Sequence, residues 1–350
     1  MHVLITGADG FVGAALVQRW LTAPPPGCRP GALRLSLLDR DFRFGPSSPQ
    51  VHQYRGSFGD VKLLQSVLAE PVDLVFHLAS VPGALAESDP ELGLEANLQA
   101  SVTLLNALAQ AVRRQPGASA PRVVFASSVA VYGSVGPDAL SEDTLPSPAL
   151  SYGTHKWMTE LLLADYSRRG ELDGCSLRLP GIVARPRSES GHGSAFMSQV
   201  FHACMENRPY TCPTSAQATA WWMSLSCCLD NLLHAAGLPS ADMPASRCWQ
   251  VPVLQTSVEA VVQAMGAARG LVDELPVAYQ ANPRIEALFG RLPKLHTAKA
   301  DAAGFRHDGS VAQLVHNVIA QLTQPPTLAQ LDSSAPGLPA TAPAAGLLER

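Results

Sequence analysis

Short apolar runs rich in β-branched residues alternate with stretches of helical period through the first half of the chain. The runs are Val3–Thr6, Leu33–Leu38, Val51–Arg55, Val72–Ala79, Arg122–Ser127 and Cys175–Leu179. Amphipathic patterns at about 11–21, 61–69, 91–113 and 151–169 separate most of them. Such alternation predicts an α/β fold, a doubly wound parallel sheet covered by helices on both faces. Ligands of such sheets lie beyond the carboxyl ends of the strands, where His77, Leu78, Ala79, Ser127 and Ser128 fall. After Pro180 the alternation breaks. Residues 180–225 read as a loop-rich lobe, with a turn-dense connection from Asn207 to Thr214. Asp230–Gly237 reads as a helix covering the sheet, Arg247–Pro252 as a returning strand, and Ser257 as the cap of a helix to about Ala268.

The predicted division is therefore a nucleotide-binding domain over 1–179, with 226–256 returning to it, a smaller substrate-binding lobe mainly over 180–323, and a disordered tail over 324–350. The proline-rich connection Ala23–Ala32 is expected to be an extended surface loop.

Candidate chemistry sharpens this picture. Val3–Thr6 runs into Gly7-Ala-Asp-Gly10-Phe-Val-Gly13 and then a helix, the strand–turn–helix context of a Rossmann-type dinucleotide site. Gly7 permits the tight turn, Gly10 lets the backbone approach a pyrophosphate, and Gly13 allows close packing of helix on sheet. Asp39, at the end of the second run, can accept both hydroxyls of an adenosine ribose and repels a 2′-phosphate, which favours NAD over NADP; the neighbouring Arg40 acts against that preference. Tyr152 and Lys156 stand four apart, on one helix face. An ammonium there is expected to pull the phenol down from its usual value of about 10 and make it a proton acceptor. His77 reads as a packed strand histidine, since Tyr152 already supplies a base.

Composition narrows the class. The chain has 350 residues, 47 % hydrophobic and 15 % charged, enough for a large core, and a net charge of −4 that argues against nucleic acid and anionic membrane surfaces as partners. No apolar run approaches the roughly 20 residues of a membrane span. Met1 leads directly into a strand the fold needs, so no removable leader is expected. The seven cysteines are scattered without a Cys-x-x-Cys pair, which fits reduced thiols in a cytoplasmic protein and suggests no metal site.

With these pieces the chain resembles the extended short-chain dehydrogenases/reductases, the NAD-dependent epimerase/dehydratase family. Thr6–Gly13, Phe76-His-Leu-Ala79, Asn97, Ser127-Ser-Val-Ala-Val-Tyr-Gly133 and the Tyr152/Lys156 pair fit its motifs in order. Within it, Ser151–Lys156, Asp165–Gly170, Leu177–Val183 with Arg185-Pro186, Trp221 and Asp230–Ala236 resemble the D-erythronate dehydrogenases, which oxidise the C2 hydroxyl of a four-carbon sugar acid with NAD. The resemblance implies Ser128, Tyr152 and Lys156 as catalytic residues. It implies NAD contacts from Gly7, Gly10, Phe11, Val12, Gly13, Asp39, Phe58, Leu78, Ala79, Asn97, Ser128, Tyr152, Lys156, Pro180 and Ile182. Ser80, Ser128, Tyr152, Arg185 and Trp221 would face a small sugar acid or polyol, and the 91–113 and 151–169 helices would form a homodimer seam.

Two of these residues have a second reading from the sequence: Arg185 as an ordinary ion pair, and Trp221 as packing around a pocket. Three departures stand beside the matches: Ser57 for a family aspartate, Gly83-Ala-Leu85 for Ser-Gly-Glu, and Ser224-Leu-Ser226 for Ser-Pro-Arg. The last two remove a carboxylate and a guanidinium from the expected substrate pocket. A sugar-nucleotide epimerase or dehydratase and a non-catalytic NAD-binding sensor are the rival readings. Val129-Ala130 after Ser128 lacks the acidic pair of a dehydratase, and the retained Tyr/Lys pair is unlike a sensor.

Overall fold

The computed structural model describes residues 1–23, 33–43, 48–114, 117, 119–136, 138–187, 193–271 and 275–323. The loop expected at 24–32 and the tail expected at 324–350 lie outside the described residues. Strand β1 (His2–Thr6) leads into helix α1 (Phe11–Thr22), followed by β2 (Arg34–Asp39), β3 (Val51–Arg55), helix α2 (Val61–Val67) and β4 (Leu74–His77). Helix α3 (Ala100–Arg113), β5 (Arg122–Ser128), helix α4 (Ser151–Arg168) and β6 (Asp173–Leu179) continue the alternation. With β9 (Cys248–Gln250) these strands form one seven-stranded sheet in the order β9-β6-β5-β4-β1-β2-β3, and every pairing in it is parallel. The order reverses direction between β1 and β4, which opens a crevice at their carboxyl ends.

Side-chain alternation explains the two covered faces. Val3 and Ile5 of β1, with Leu35, Phe76, Val124 and Leu177, meet Leu16, Val17 and Trp20 of α1. Leu4, with Leu38, Val75, Val123 and Phe125, points the other way, onto Leu64 of α2, Leu104 and Leu108 of α3 and Leu163 of α4. A strand buried on both faces has no polar alternation to show, and that is why these runs read as continuous apolar sequence.

Two elements differ from the sequence expectation. The 91–113 helix is not uniform: a short helix over Pro90–Leu94 passes through a π-turn at Glu95–Gln99 before α3 begins. The strand expected at 72–79 ends at His77, because Leu78 and Ala79 leave the ladder for the crevice.

The rest of the chain builds the lobe. Strand β7 (Gly181–Val183) pairs parallel with β8 (Thr219–Ser224), which pairs antiparallel with β10 (Leu254–Ser257). Helix α5 (Phe196–Glu206), α7 (Val258–Arg269) and α8 (Val311–Thr323) enclose a second core of Val183, Phe201, Trp222, Val261, Met265 and Leu314. Helix α6 (Leu225–Gly237) packs Leu229 and Leu232 back onto the main sheet. Among the described residues no helix is long and apolar enough to cross a membrane.

Candidate active site

The glycine turn after β1 is fixed by backbone geometry. Gly7 has φ of 70°, and a Cβ there would lie 2.7 Å from the Ala79 nitrogen. At Gly13 a Cβ would lie 2.0 Å from the Gly7 carbonyl oxygen, so no side chain fits. Gly10 caps α1 without a side-chain bond, and the first turn of that helix holds no acid. The amides of Phe11, Val12 and Gly13 therefore offer unneutralised N–H groups and the positive end of the helix dipole.

Asp39 is tied to this turn, its carboxylate accepting from the Asp9 N–H at 2.9 Å and the Arg40 N–H at 2.7 Å. Burial pushes it above the usual carboxylate range, against those two bonds. Leu78 and Ala79 follow β4, and Phe58 lies edge-on to His77 at 5.1 Å between ring centroids. Pro180 and Ile182 are buried where the chain passes from β6 to β7. An open, uncapped, acid-free helix end beside a carboxylate at the tip of β2 fits a dinucleotide's pyrophosphate and ribose.

His77 is closed off by two bonds, Nδ1 to the Thr6 hydroxyl at 2.8 Å and Nε2 to the Ser101 hydroxyl at 2.9 Å. Burial lowers it to about 3, so the ring is neutral and structural. Asn97, within the π-turn, grips the loop after β4. Its Oδ1 accepts from the Val81 N–H at 2.8 Å and its Nδ2 donates to the Val81 carbonyl at 3.1 Å. The amide thus braces Ser80 from one residue away.

At the carboxyl end of β5 and the first turns of α4 the remaining polar groups converge. The Ser80 and Ser128 hydroxyls and Arg185 lie close enough to the Tyr152 phenol to favour its anion. Gly83 packs beside Tyr152, and a Cβ there would lie 3.5 Å from the Tyr152 Cβ, an ordinary contact distance. The Lys156 ammonium donates to the Ala126 carbonyl at 2.7 Å and lies 5.5 Å from the centre of the Tyr152 ring.

One expectation needs correction here. Lys156 does not bring the phenol down among the protein groups alone. Burial pushes Tyr152 above 10, with Ser80, Ser128 and Arg185 offsetting part of that rise. The same burial lowers Lys156 to about 7, against the pull of Glu160.

Arg185 follows β7, and its Nη2 donates to the Ser194 carbonyl at 3.2 Å and to the Ser194 hydroxyl at 3.1 Å. Its backbone is also held, the N–H donating to the Ser198 hydroxyl at 3.0 Å and the carbonyl meeting His202 Nε2 at 2.8 Å. Burial lowers the guanidinium and the Tyr152 oxygen is the group that supports it; among the described residues no carboxylate pairs with it. The ion-pair reading finds no partner for Arg185 among the described residues. Trp221 is also corrected. It is 2 % exposed, packs with Val131 and Tyr132, and donates its indole N–H to the Pro293 carbonyl at 2.7 Å. Packing, not a substrate face, is what this indole does.

The departures resolve similarly. Ser224 is a buried helix cap bonded to Asp308, while Leu85 is an exposed side chain where relatives were expected to carry acid. A surface groove of about 590 Å³ beside Ser215, Thr219, Arg291 and Lys294 includes none of Ser128, Tyr152, Lys156 or Arg185.

Sequence reasoning missed two buried charges beneath the site, Glu160 and Arg178, joined at 2.8 Å. The available signal was Glu160 four residues beyond Lys156, on the Tyr152 face of α4.

A family model, the NAD dependent epimerase/dehydratase family, matches residues 3–223. The D-erythronate dehydrogenase of Cupriavidus necator is 33 % identical, over 90 % of this chain and 97 % of that protein. The D-erythronate dehydrogenase of Haemophilus influenzae is 28 % identical, over 91 % and 99 %. Among solved structures, a nucleoside-diphosphate-sugar epimerase from Agrobacterium tumefaciens superposes with a TM-score of 0.83 at 28 % identity, covering 90 % of this chain and 92 % of that one.

Proposed function

The chain belongs to the NAD dependent epimerase/dehydratase family, and we propose that within it the chain is an NAD-dependent dehydrogenase of a small hydroxy acid, oxidising a secondary hydroxyl beside the carboxylate in the manner of D-erythronate oxidation at C2. The observation that carries this reading is Arg185, a half-buried guanidinium facing Tyr152 without a carboxylate partner among the described residues. A buried cation left unpaired is costly. A substrate carboxylate would satisfy it with a two-pronged bond and would fix the neighbouring carbon against the phenol.

NAD, when bound at the glycine turn, supplies the hydride acceptor. The chain's own groups do the rest. Tyr152 Oη takes the proton of the substrate hydroxyl, Ser128 holds that oxygen in line, and Ser80 keeps the phenol aimed. Because burial opposes the phenolate, the Ser80 and Ser128 hydroxyls and the nearby positive charge of Arg185 matter to it. Asp39 would accept the adenosine ribose, and Asn97 would steady the loop that carries Ser80.

The same reading takes residues 1–179 with 226–256 as the nucleotide domain and 180–323 as mainly the substrate lobe. It makes the protein cytoplasmic, consistent with six free cysteines among the described residues. It also pairs two copies through α3 and α4, where Met158 and Leu161 are 45 % and 57 % exposed on one helix.

The test is Tyr152→Phe, with NADH absorbance following turnover of C3 to C6 hydroxy acids and calorimetry following NAD binding. Turnover is expected to fall by about 10²–10⁴-fold with NAD affinity kept. Turnover near the parent rate removes the phenol from the mechanism. Activity only on a sugar nucleotide, without net NADH, moves the protein to the epimerase class.

A further inference from the structure

Beneath the Tyr152 site the sheet and helix α4 are joined by three successive rungs. Ser128 stands near enough to the Tyr152 phenol to favour its anion, the Ala126 carbonyl accepts from Lys156 Nζ at 2.7 Å, and the Ser127 hydroxyl donates to a Glu160 carboxylate oxygen. Residues 152, 156 and 160 are spaced by four and share one helix face. The lowest rung is reinforced from the neighbouring strand. Arg178 stands directly opposite Ser127 in the β5–β6 register, so the two side chains leave the sheet together. Arg178 Nη2 donates to Glu160 Oε2 at 2.8 Å, Nε reaches Oε1 at 3.1 Å, and Nη1 donates to the Tyr132 hydroxyl at 3.1 Å.

We propose that Glu160 and Arg178 are positioning residues, a buried lock that fixes β5 against α4 in the register bringing Ser128, Tyr152 and Lys156 together. The proposal rests on the dehydrogenase reading for the roles of those three residues, but the lock itself rests on contacts. Glu160 is 3 % exposed and Arg178 8 %. A charge pair buried so deeply is no better for stability than well-packed apolar groups of the same size, because desolvation offsets its attraction. What apolar groups cannot do is hold Ser127 by a directional bond or place a negative charge one turn from Lys156.

That charge has a second consequence. Lys156 is faced by Glu160 on its own helix, by the Tyr152 ring, by the Ala126 carbonyl and Phe125 ring of β5, and by neutral His77 of β4. Glu160 is the one of these that carries a full negative charge, and it favours the ammonium against burial. Glu160 itself is faced by Ser127, Arg178, Lys156 and the Cys248 thiol of β9.

The experiment compares full-length parent protein, Glu160→Gln, and the double variant Glu160→Leu/Arg178→Met. The single variant strands a buried guanidinium and is expected to melt early. The double variant removes both charges and is expected to melt near the parent. Its turnover should nevertheless stay down by about tenfold or more, as for other small misplacements of reacting groups.

Lysine NMR with labelled Cε supplies a readout independent of turnover. Lys156 should lose its proton at a lower pH in the double variant than in the parent, since the charge that held it is gone. Recovery of turnover together with the melting temperature, or an unmoved Lys156 titration, overturns the proposal. The dehydrogenase reading fails separately, on a parent protein that forms no NADH from any hydroxy acid or on an active Tyr152→Phe.

Discussion

Two arginines, Arg178 buried and Arg185 half-buried, lie seven residues apart and lead opposite lives. Arg178, on β6, meets Glu160 through three nitrogen–oxygen contacts and also donates to Tyr132. Burial acts to lower its guanidinium, but the Glu160 carboxylate more than offsets that and holds it above its ordinary value. Arg185, just past β7, is lowered by burial, donates to Ser194, and among the described residues has the Tyr152 oxygen as its balancing group. The first is complete within the protein. On the proposed function, the second is completed by a substrate anion. The difference then separates a part that holds the fold from a part that reads the substrate, on consecutive strands of two different sheets.

Breaking the complete arginine should have the largest effect. Arg178→Met leaves Glu160 charged and buried without its partner, and the expected cost is about 3–5 kcal/mol of stability, read from urea unfolding. Breaking the incomplete one should leave stability unchanged or raised, because an unpaired buried cation disappears. In Arg185→Met, KM for a hydroxy acid should instead rise by about a hundredfold, with NAD affinity kept in calorimetry.

A third buried base, His77, sharpens the contrast through pH. Its folded value of about 3 lies below that of the unfolded chain, so the unfolded state takes up the proton first. Its contribution is full above about pH 6.5 and is lost as pH falls toward 3. Between pH 7 and pH 5 it should amount to about 2 kcal/mol, measured as the difference between the parent and His77→Gln in urea unfolding. The smallest effect belongs to Arg185→Lys, which keeps the charge and loses the fork. Its KM should rise only about tenfold.

The sheet was legible because its central strands are buried on both faces and its glycine turn is local in sequence. Gly7 and Gly13 are demanded by contacts within one turn and one neighbouring loop, so their spacing carries the information. Tyr152 and Lys156 were legible for the same reason, being one helical turn apart. Their electrostatics were not. Whether the phenol rises or falls depends on how deeply it is buried and on Arg185, which is distant in sequence.

The π-turn at Glu95–Gln99 was hidden because one extra residue in a helix hardly disturbs the apolar period. Glu160 and Arg178 were hidden because their pairing joins a helix to a strand and neither charge looks unusual alone. Trp221 misled because a tryptophan reads equally as pocket wall and as core until its indole partner, the Pro293 carbonyl, is known.

The most direct measurement is NADH formation by the full chain on C3 to C6 sugar acids set beside polyols of the same length and stereochemistry that lack only the carboxylate. The acids should be oxidised and the matched polyols should fall short by about a hundredfold or more in kcat/KM, a preference that Arg185→Met abolishes. Equal turnover of acid and polyol, or a preference that survives Arg185→Met, would contradict an anion-seeking Arg185 and the hydroxy-acid assignment with it.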